Sequence, residues 1–141
     1  MKKNLCIILI AIIGISISGC KKYDDGPAFS FSSVKGRLVR TWVLEKQYIN
    51  TIEQTLDADD KMETVAINDD GTYTATSYIN GNPIEVNGTW VLDDNDENVT
   101  CTYTAILTFT TTYKILRLTS KELWYEHTSS SNTIEDHLTA K

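Results

Sequence analysis

Apolar and polar side chains alternate along most of the chain after about residue 38. The clearest alternation is in residues 99–109, where one face of the predicted strand would carry Cys101, Tyr103, Ala105, Leu107 and Phe109. Threonine fills most of the intervening positions, which suits the solvent-exposed face of a strand. This period of two residues predicts β-strands, and no segment shows the period of a long helix.

Turn signals divide this pattern into eight segments. Asn, Asp, Gly and Pro cluster at residues 68–71 and 80–83, as is typical of tight turns between strands. Polar residues 50–60 are expected to form a loop or a single helical turn. The predicted strands are residues 39–49, 61–67, 72–79, 84–92, 99–109, 113–118, 122–127 and 133–138.

Eight short strands in meander order favour a closed sheet, because closure removes the unpaired edges. We therefore predict an all-β fold, an eight-stranded antiparallel up-and-down β-barrel, over residues 35–141. A two-sheet sandwich is the alternative. It would need a long crossover connection, for which only residues 50–60 and 128–132 offer the length.

The N-terminus has the features of a secretory signal. Lys2 and Lys3 precede an apolar run at residues 5–17, which is too short to cross a bilayer as a helix. The run ends in Ile-Ser-Gly-Cys at residues 17–20, which resembles the bacterial lipobox. This predicts a signal peptide over residues 1–19 and a lipid anchor on Cys20; an ordinary secretory signal with an incidental cysteine is the alternative.

Residues 20–34 are rich in charge, Gly, Pro and Ser without periodicity, which predicts a flexible tether after the lipidated cysteine. Lys22, Asp24 and Asp25 also resemble, loosely, the surface-export signal of Bacteroidetes lipoproteins, and a plain linker is the alternative. We expect an outer-membrane lipoprotein of the cell envelope. Whether it faces the periplasm or the cell surface stays open.

Charge and cysteine content exclude several functions. The chain has 13 Lys and Arg against 19 Asp and Glu, a net charge of −6. Loss of the signal peptide would remove two of these basic residues, Lys2 and Lys3, and make the protein more acidic. This acidity argues against nucleic acid as a partner. If Cys6 is cleaved off and Cys20 is acylated, Cys101 is left alone, so neither an intrachain disulfide nor a cysteine metal site is expected.

Several short motifs follow one another in a characteristic order. They are Thr-Trp-Val-Leu at 41–44, Asp-Gly-Thr-Tyr at 70–73, Gly-Thr-Trp-Val-Leu at 88–92, Tyr-Lys-Ile-Leu-Arg-Leu-Thr at 113–119 and Glu-Leu-Trp at 122–124. With them, residues 35–141 resemble the lipocalin-like domains of Bacteroidetes lipoproteins. Classical lipocalins have Gly two residues before the first Trp, where this chain has Arg40. The resemblance implies that Trp42 plugs one end of the barrel, with Arg117 over its indole ring.

The sequence predicts no catalytic residues and no cofactor, and therefore not an enzyme. His127 and His137 are the only histidines, and a Gly-x-Ser-x-Gly nucleophile motif is absent. Neighbours along a strand point to opposite faces, so Asp136 could not orient His137 as in a catalytic triad. We expect both histidines at the surface, and no acidic residue falls on a clear inward-facing register.

Two acidic segments, residues 57–60 and 93–98, offer the oxygen ligands that calcium prefers. An EF-hand loop starting at Asp94 would need Gly and Glu where the chain has Val99 and Ala105. Acidic turns, in which Asp and Asn bond their own backbone, account for both segments better. No metal site is therefore predicted.

Two hypotheses of function remain, and both leave a specific protein partner unknown. In the first, the anchored barrel binds a small hydrophobic or amphipathic ligand, lined by Tyr73, Trp90, Tyr103 and Tyr113. In the second, an envelope accessory or protein-interaction lipoprotein has a filled barrel and acts through loops such as 93–98. Eight strands suit either a packed interior or one small ligand, so an internal cavity distinguishes the two.

Overall fold

The computed structural model describes Tyr23 and residues 32–141; the predicted signal peptide and Cys20 lie outside these residues. The described part is almost entirely antiparallel sheet, with one short helix, α1 (Val34–Leu38), and a 3-10 turn at Asp60–Met62. The strands are β1 (Thr41–Ile49), β2 (Ile52–Glu53), β3 (Thr64–Ile67), β4 (Thr72–Ile79), β5 (Asn82–Leu92), β6 (Asn98–Thr104), β7 (Thr108–Leu118), β8 (Glu122–Ser129) and β9 (Asn132–Ala140).

The sheet closes on itself. From β3 to β9 each strand pairs with the next, and β1 pairs with both β3 and β9. The two-residue strand β2 only extends the end of β1, so the barrel wall consists of β1 and β3–β9. The prediction of an eight-stranded antiparallel up-and-down barrel is confirmed, and the sandwich alternative is wrong. Among the described residues, no helix is long and apolar enough to cross a membrane.

Two predicted strands are wrong in part. The strand predicted for residues 61–67 begins only at Thr64, because Asp60–Met62 form the 3-10 turn. Residues 99–109 are not a single strand, because β6 ends at Thr104 and residues 105–107 turn the chain into β7. Tyr103 pairs with Phe109 across this hairpin, with ring centroids 5.0 Å apart. Because the turn has three residues, odd-numbered side chains lie on the same face of the sheet in β6 and in β7. The alternation of apolar and polar residues in the sequence therefore continues through the turn.

Helix α1 covers the end of the barrel at which β1 begins, here called the closed end. Ser33 caps the helix by accepting a hydrogen bond from the Gly36 N–H, and Leu38, the last residue of the helix, is buried in the core. The Trp42 indole N–H donates to the Leu38 carbonyl at 2.9 Å, and Arg37 donates to the Leu118 carbonyl at 2.7 Å. These bonds fix the helix across the end of the barrel.

Tyr23 belongs to the segment predicted as a tether, yet its side chain packs into the same core at the closed end. Only 4% of Tyr23 is exposed, and its hydroxyl donates to the Asp96 carbonyl at 2.9 Å. The chain therefore contacts the barrel well before α1 begins.

Trp42 is fully buried at the closed end, but the arginine over its ring is Arg40, with the guanidinium carbon 5.5 Å from the ring centroid. The predicted pairing of Trp42 with Arg117 is wrong. Arg117 lies 5.1 Å from the ring of Trp124 and forms an ion pair with Glu122. A β-bulge between Ile115 and Arg117 shifts the register, so Arg117 points outward instead of following Ile115 into the barrel.

Gly88, in the Gly-x-Trp motif, lies directly opposite Tyr73. A Cβ atom at Gly88 would collide with the Thr102 carbonyl oxygen and lie 2.6 Å from the Tyr73 ring. The absence of a side chain thus lets the ring of Tyr73 lie against the backbone of β5. The role of this glycine is therefore packing within the barrel.

We expect Gly88→Ala to lower the free energy of unfolding by about 1–3 kcal/mol, because overpacking forces neighbouring groups to move. Urea denaturation measures the change. Thr89→Ala is the control, since Thr89 is exposed and the substitution should change stability by no more than about 0.5 kcal/mol. Equal stability of the Gly88→Ala variant and the unmodified protein would contradict this packing role.

Candidate functional site

The interior of the barrel contains a partly open cavity of about 230 Å³, which extends from the closed end to the middle of the barrel. Four tyrosines form much of the wall, together with aliphatic side chains from most strands. Small residues stand across from these rings where larger ones would fill the space. The residues that define the cavity are Tyr73, Tyr103, Tyr113 and Tyr125, with Ala75 and Cys101.

The volume limits what the cavity can hold. An apolar cavity of about 150 Å³ can hold benzene, and drug-sized ligands occupy pockets of about 300–1,000 Å³. At about 230 Å³, this cavity lies between these two cases. It suits one ring or a short aliphatic chain.

The polar atoms of the cavity wall are uncharged at neutral pH. Burial raises the pKa of Tyr113 to about 12, and it raises those of Tyr73 and Tyr125 as well. Burial also raises the pKa of the Cys101 thiol to about 11. The wall therefore offers apolar surface and a few neutral hydroxyl groups, and Cys101 is not an activated nucleophile.

Towards the other end of the barrel, here called the open end, the next inward-facing side chains are polar. Three of them lie two residues along their strand from a cavity residue and so face the same way: Ser77 from Ala75, His127 from Tyr125 and Asp136 from Leu138. Glu63 directly precedes β3 and interacts with Ser77 and Asp136. Gln47 pairs across β1 and β9 with Asp136. The polar collar is the set Gln47, Glu63, Ser77, His127 and Asp136.

The collar adjoins the cavity wall. Gln47 donates from Nε2 to Asp136 Oδ1 at 2.9 Å, and Asp136 pairs across β8 and β9 with Tyr125 of the wall. The Tyr113 ring lies edge-on to both Tyr125 and His127, with centroids 4.9 Å apart in each case. The His127 Nδ1 atom is buried without a hydrogen-bond partner. The collar therefore begins where the apolar cavity ends.

Burial dominates the titration of the collar. Asp136 is only 8% exposed, and burial raises its pKa although bonds from Gln47 and Tyr125 oppose the shift. Burial also raises the pKa of Glu63, with further contributions from Asp60 and Asp136. It lowers the pKa of His127, which the nearby Asp136 charge only partly opposes.

Three of the four predicted ligand-binding residues, Tyr73, Tyr103 and Tyr113, lie in the cavity wall. The structure does not bring Trp90 into it. Trp90 is buried in the core nearer the closed end, and its indole N–H donates to the Asn68 carbonyl at 2.9 Å. Tyr125 and Cys101 also line the cavity but were not among the predicted ligand-binding residues. Both alternate with outward-facing neighbours along their strands, and this pattern could have identified them as inward-facing.

The histidines differ in position. His137 lies on the outer surface, stacked on Trp124 with ring centroids 3.9 Å apart. Asp136, its neighbour in the chain, faces the interior, so these two residues form no triad, as predicted. Two expectations are wrong: that His127 is a surface residue, and that no acid faces inward. His127 and Asp136 lie on the inward-facing sides of β8 and β9, two residues from Tyr125 and Leu138 of the cavity wall.

The acidic loops act as turns. Asp93 accepts hydrogen bonds from the backbone N–H groups of Glu97 and Asn98, and Asp57 accepts from those of Asp59 and Asp60. In Tyr23 and residues 32–141, no group of three or more His, Cys, Asp or Glu side chains could hold a metal ion. The carboxylates instead satisfy backbone donors that the turns leave unpaired.

The model of the lipocalin-like domain family matches residues 38–125, more than half of the chain. The chain belongs to the lipocalin-like domain family. The match begins at the end of α1 and extends to Tyr125 in β8, so it includes most of the cavity wall. No curated protein matches the chain.

Membership of this family agrees with the geometry of the site. Lipocalin-like barrels generally bind or transport small molecules rather than catalyse reactions, and the cavity here is compatible with a small ligand. The four tyrosines give the lipocalin-like interior rigid apolar faces with hydroxyl tips.

The position of Cys101 in the cavity wall predicts slow alkylation. With iodoacetamide at pH 8, Cys101 should react at least about tenfold more slowly than an exposed thiol, since little of it is thiolate. Thr102→Cys supplies the control, because residue 102 faces outward on the same strand. Peptide mass mapping quantifies both sites, and equal rates would show that Cys101 does not lie in a closed interior.

Proposed function

We propose that this protein is a lipid-anchored lipoprotein of the bacterial cell envelope whose lipocalin-like barrel binds one small hydrophobic or amphipathic molecule. The cavity of about 230 Å³ is the observation that carries the binding function. A packed barrel of the same strand number would have no such space.

The character of the cavity supports this class of ligand. Each Å² of apolar ligand surface removed from water contributes about 25 cal/mol, and the wall offers aliphatic and aromatic groups to receive it. The polar collar lies beside the apolar wall, which favours a molecule with an apolar body and one polar end. Neutral tyrosine hydroxyls add hydrogen bonds without a fixed charge.

Anchoring is supported by the sequence alone. The apolar run at residues 5–17 and the Ile-Ser-Gly-Cys string at residues 17–20 fit a lipoprotein signal with lipid on Cys20. Stable membrane attachment requires more than one acyl chain, which lipidation of this type supplies. The outer membrane is the proposed location, on either of its faces.

One observation favours the alternative function, an accessory lipoprotein that binds another protein through its loops. The turn between β6 and β7 exposes aliphatic side chains at the open end: Ile106 is 99% exposed and Leu107 is 66% exposed. Such side chains fit an apolar contact with a partner. The cavity nevertheless argues against the filled barrel that this alternative assumes.

Filling the cavity should abolish ligand binding. Ala75→Phe places a ring in the cavity, whereas Thr76→Phe places the same ring on the outer face of β4 as a matched control. Native mass spectrometry after incubation with a bacterial envelope lipid extract should show a discrete adduct on the unmodified protein and on Thr76→Phe. The Ala75→Phe variant should lose at least about nine-tenths of it. Equal adduct on both variants would place the ligand outside the barrel.

Loss of Cys20 should release the protein from the membrane. In a bacterial host with lipoprotein processing, Cys20→Ala should abolish labelling by radioactive palmitate and move the protein to the soluble fraction. Cys101→Ala should leave both properties unchanged, because Cys101 lies inside the barrel. Palmitate labelling that persists in Cys20→Ala would exclude the proposed anchor site.

A further inference from the structure

Charged side chains are unevenly distributed in the interior of the barrel, and their distribution favours one class of ligand. We propose that the ligand is a cationic amphiphile, a small apolar body with one protonated amine, and that Asp136 in the polar collar binds the amine. This inference rests on the proposed function, since it assumes that the cavity binds a ligand.

The position of the polar atoms orients such a ligand. The cavity wall is apolar apart from neutral hydroxyl and thiol groups, whereas the charged side chains lie one inward step closer to the open end. A ligand that fills the cavity would therefore place its apolar part against the wall and its polar end beside Tyr125 and Asp136. These two residues are cross-strand partners on β8 and β9, so the wall and the collar are in contact.

The sign of the charge in the collar favours a cation. Asp136 and Glu63 are acidic, and His127 is the only basic member. Burial lowers the pKa of His127, so it is mostly neutral at neutral pH. The like charge of Asp136 also contributes to the raised pKa of Glu63. A protonated amine would neutralise charge here, whereas a carboxylate or phosphate would add to the repulsion.

Two β-bulges keep basic side chains out of this interior. The bulge between Leu44 and Lys46 places Lys46 opposite the outward-facing His137, and Gln47 takes the inward position opposite Asp136. The bulge before Arg117 turns that side chain outward in the same way. Regular alternation from Leu44 would have pointed Lys46 into the barrel beside Asp136, where its ammonium group would neutralise the acid. Arg117 lies at the closed end, away from the collar.

The hydrogen bonds of the collar also leave room for an ammonium group. A carboxylate has about four acceptor positions, and Asp136 accepts a hydrogen bond from Gln47. The buried Nδ1 of His127 has no hydrogen-bond partner, and a neutral imidazole can accept at one nitrogen. An ammonium group carries three donors, which Asp136 and His127 could bind together.

Three eight-carbon compounds that differ only in the head group test the proposal: octylamine, octanol and octanoate. Isothermal titration calorimetry on the purified protein at pH 7 should give octylamine a Kd at least about tenfold below that of octanol. Octanoate should bind most weakly.

The matched variants are Asp136→Asn and Glu135→Gln. Asparagine retains the size and a hydrogen-bonding oxygen at position 136 but removes the charge, so the preference for octylamine should fall at least about tenfold while octanol affinity stays the same. Glu135 lies beside His137, whose ring is on the outer surface, so Glu135→Gln should leave all three affinities unchanged. Thermal unfolding verifies that each variant is folded.

Glu63→Gln gives a second measurement on another strand and should reduce the octylamine preference by about two- to fivefold. If Asp136→Asn does not fold, the ligand series on the unmodified protein together with Glu63→Gln decides the outcome. Octanol binding without a preference for octylamine would overturn the amine assignment and leave the proposed function standing. If none of the three compounds binds and Ala75→Phe does not alter the adduct from lipid extract, both proposals fail.

Discussion

The pairing of β1 with β9 is the constraint on which the rest of the structure depends. It runs almost the whole length of both strands, from Trp42 opposite Ala140 to Ile49 opposite Ile134. Because it closes the sheet, each strand of the wall has a paired neighbour on both sides, and every strand residue faces either one shared interior or the solvent. The placement of a side chain then follows from its register, and a single bulge exchanges inward and outward positions over the remainder of a strand.

This closed interior changes in character along its length. At the closed end, Trp42 and Leu118 are fully buried beneath α1, and the helix satisfies the indole N–H through the Leu38 carbonyl. In the middle, small residues such as Ala75 face tyrosine rings and leave a cavity. Beyond it the inward residues are polar, and Gln47 hydrogen-bonds to Asp136. The largest fully buried side chains therefore lie at the closed end, whereas the middle of the barrel contains the cavity.

Alternation and turn chemistry allowed the barrel and most of its strands to be predicted, because a period of two residues and a tight turn are both local features. The bulges at Lys46 and Arg117 leave no comparable local signal, so the orientation of Arg117 and its contact with Trp124 could not be read from the sequence. The turn at residues 105–107 was not predicted, because inward-facing and outward-facing side chains continue to alternate through it. Three tyrosines of the wall were found from their residue type, whereas His127 and Asp136 were missed because ionisable residues in strands usually face solvent.

The burial of Tyr23 has a geometric consequence for the anchored protein. Three residues can span at most about 11 Å, so a lipid on Cys20, as proposed, would hold the closed end close to the bilayer surface. Tyr23 is fixed there by its bond to the Asp96 carbonyl. The barrel would then stand on the membrane with helix α1 beneath it and the polar collar directed towards the aqueous phase. In that orientation, ligands would be exchanged with the surrounding solution or with another protein rather than directly with the lipids below.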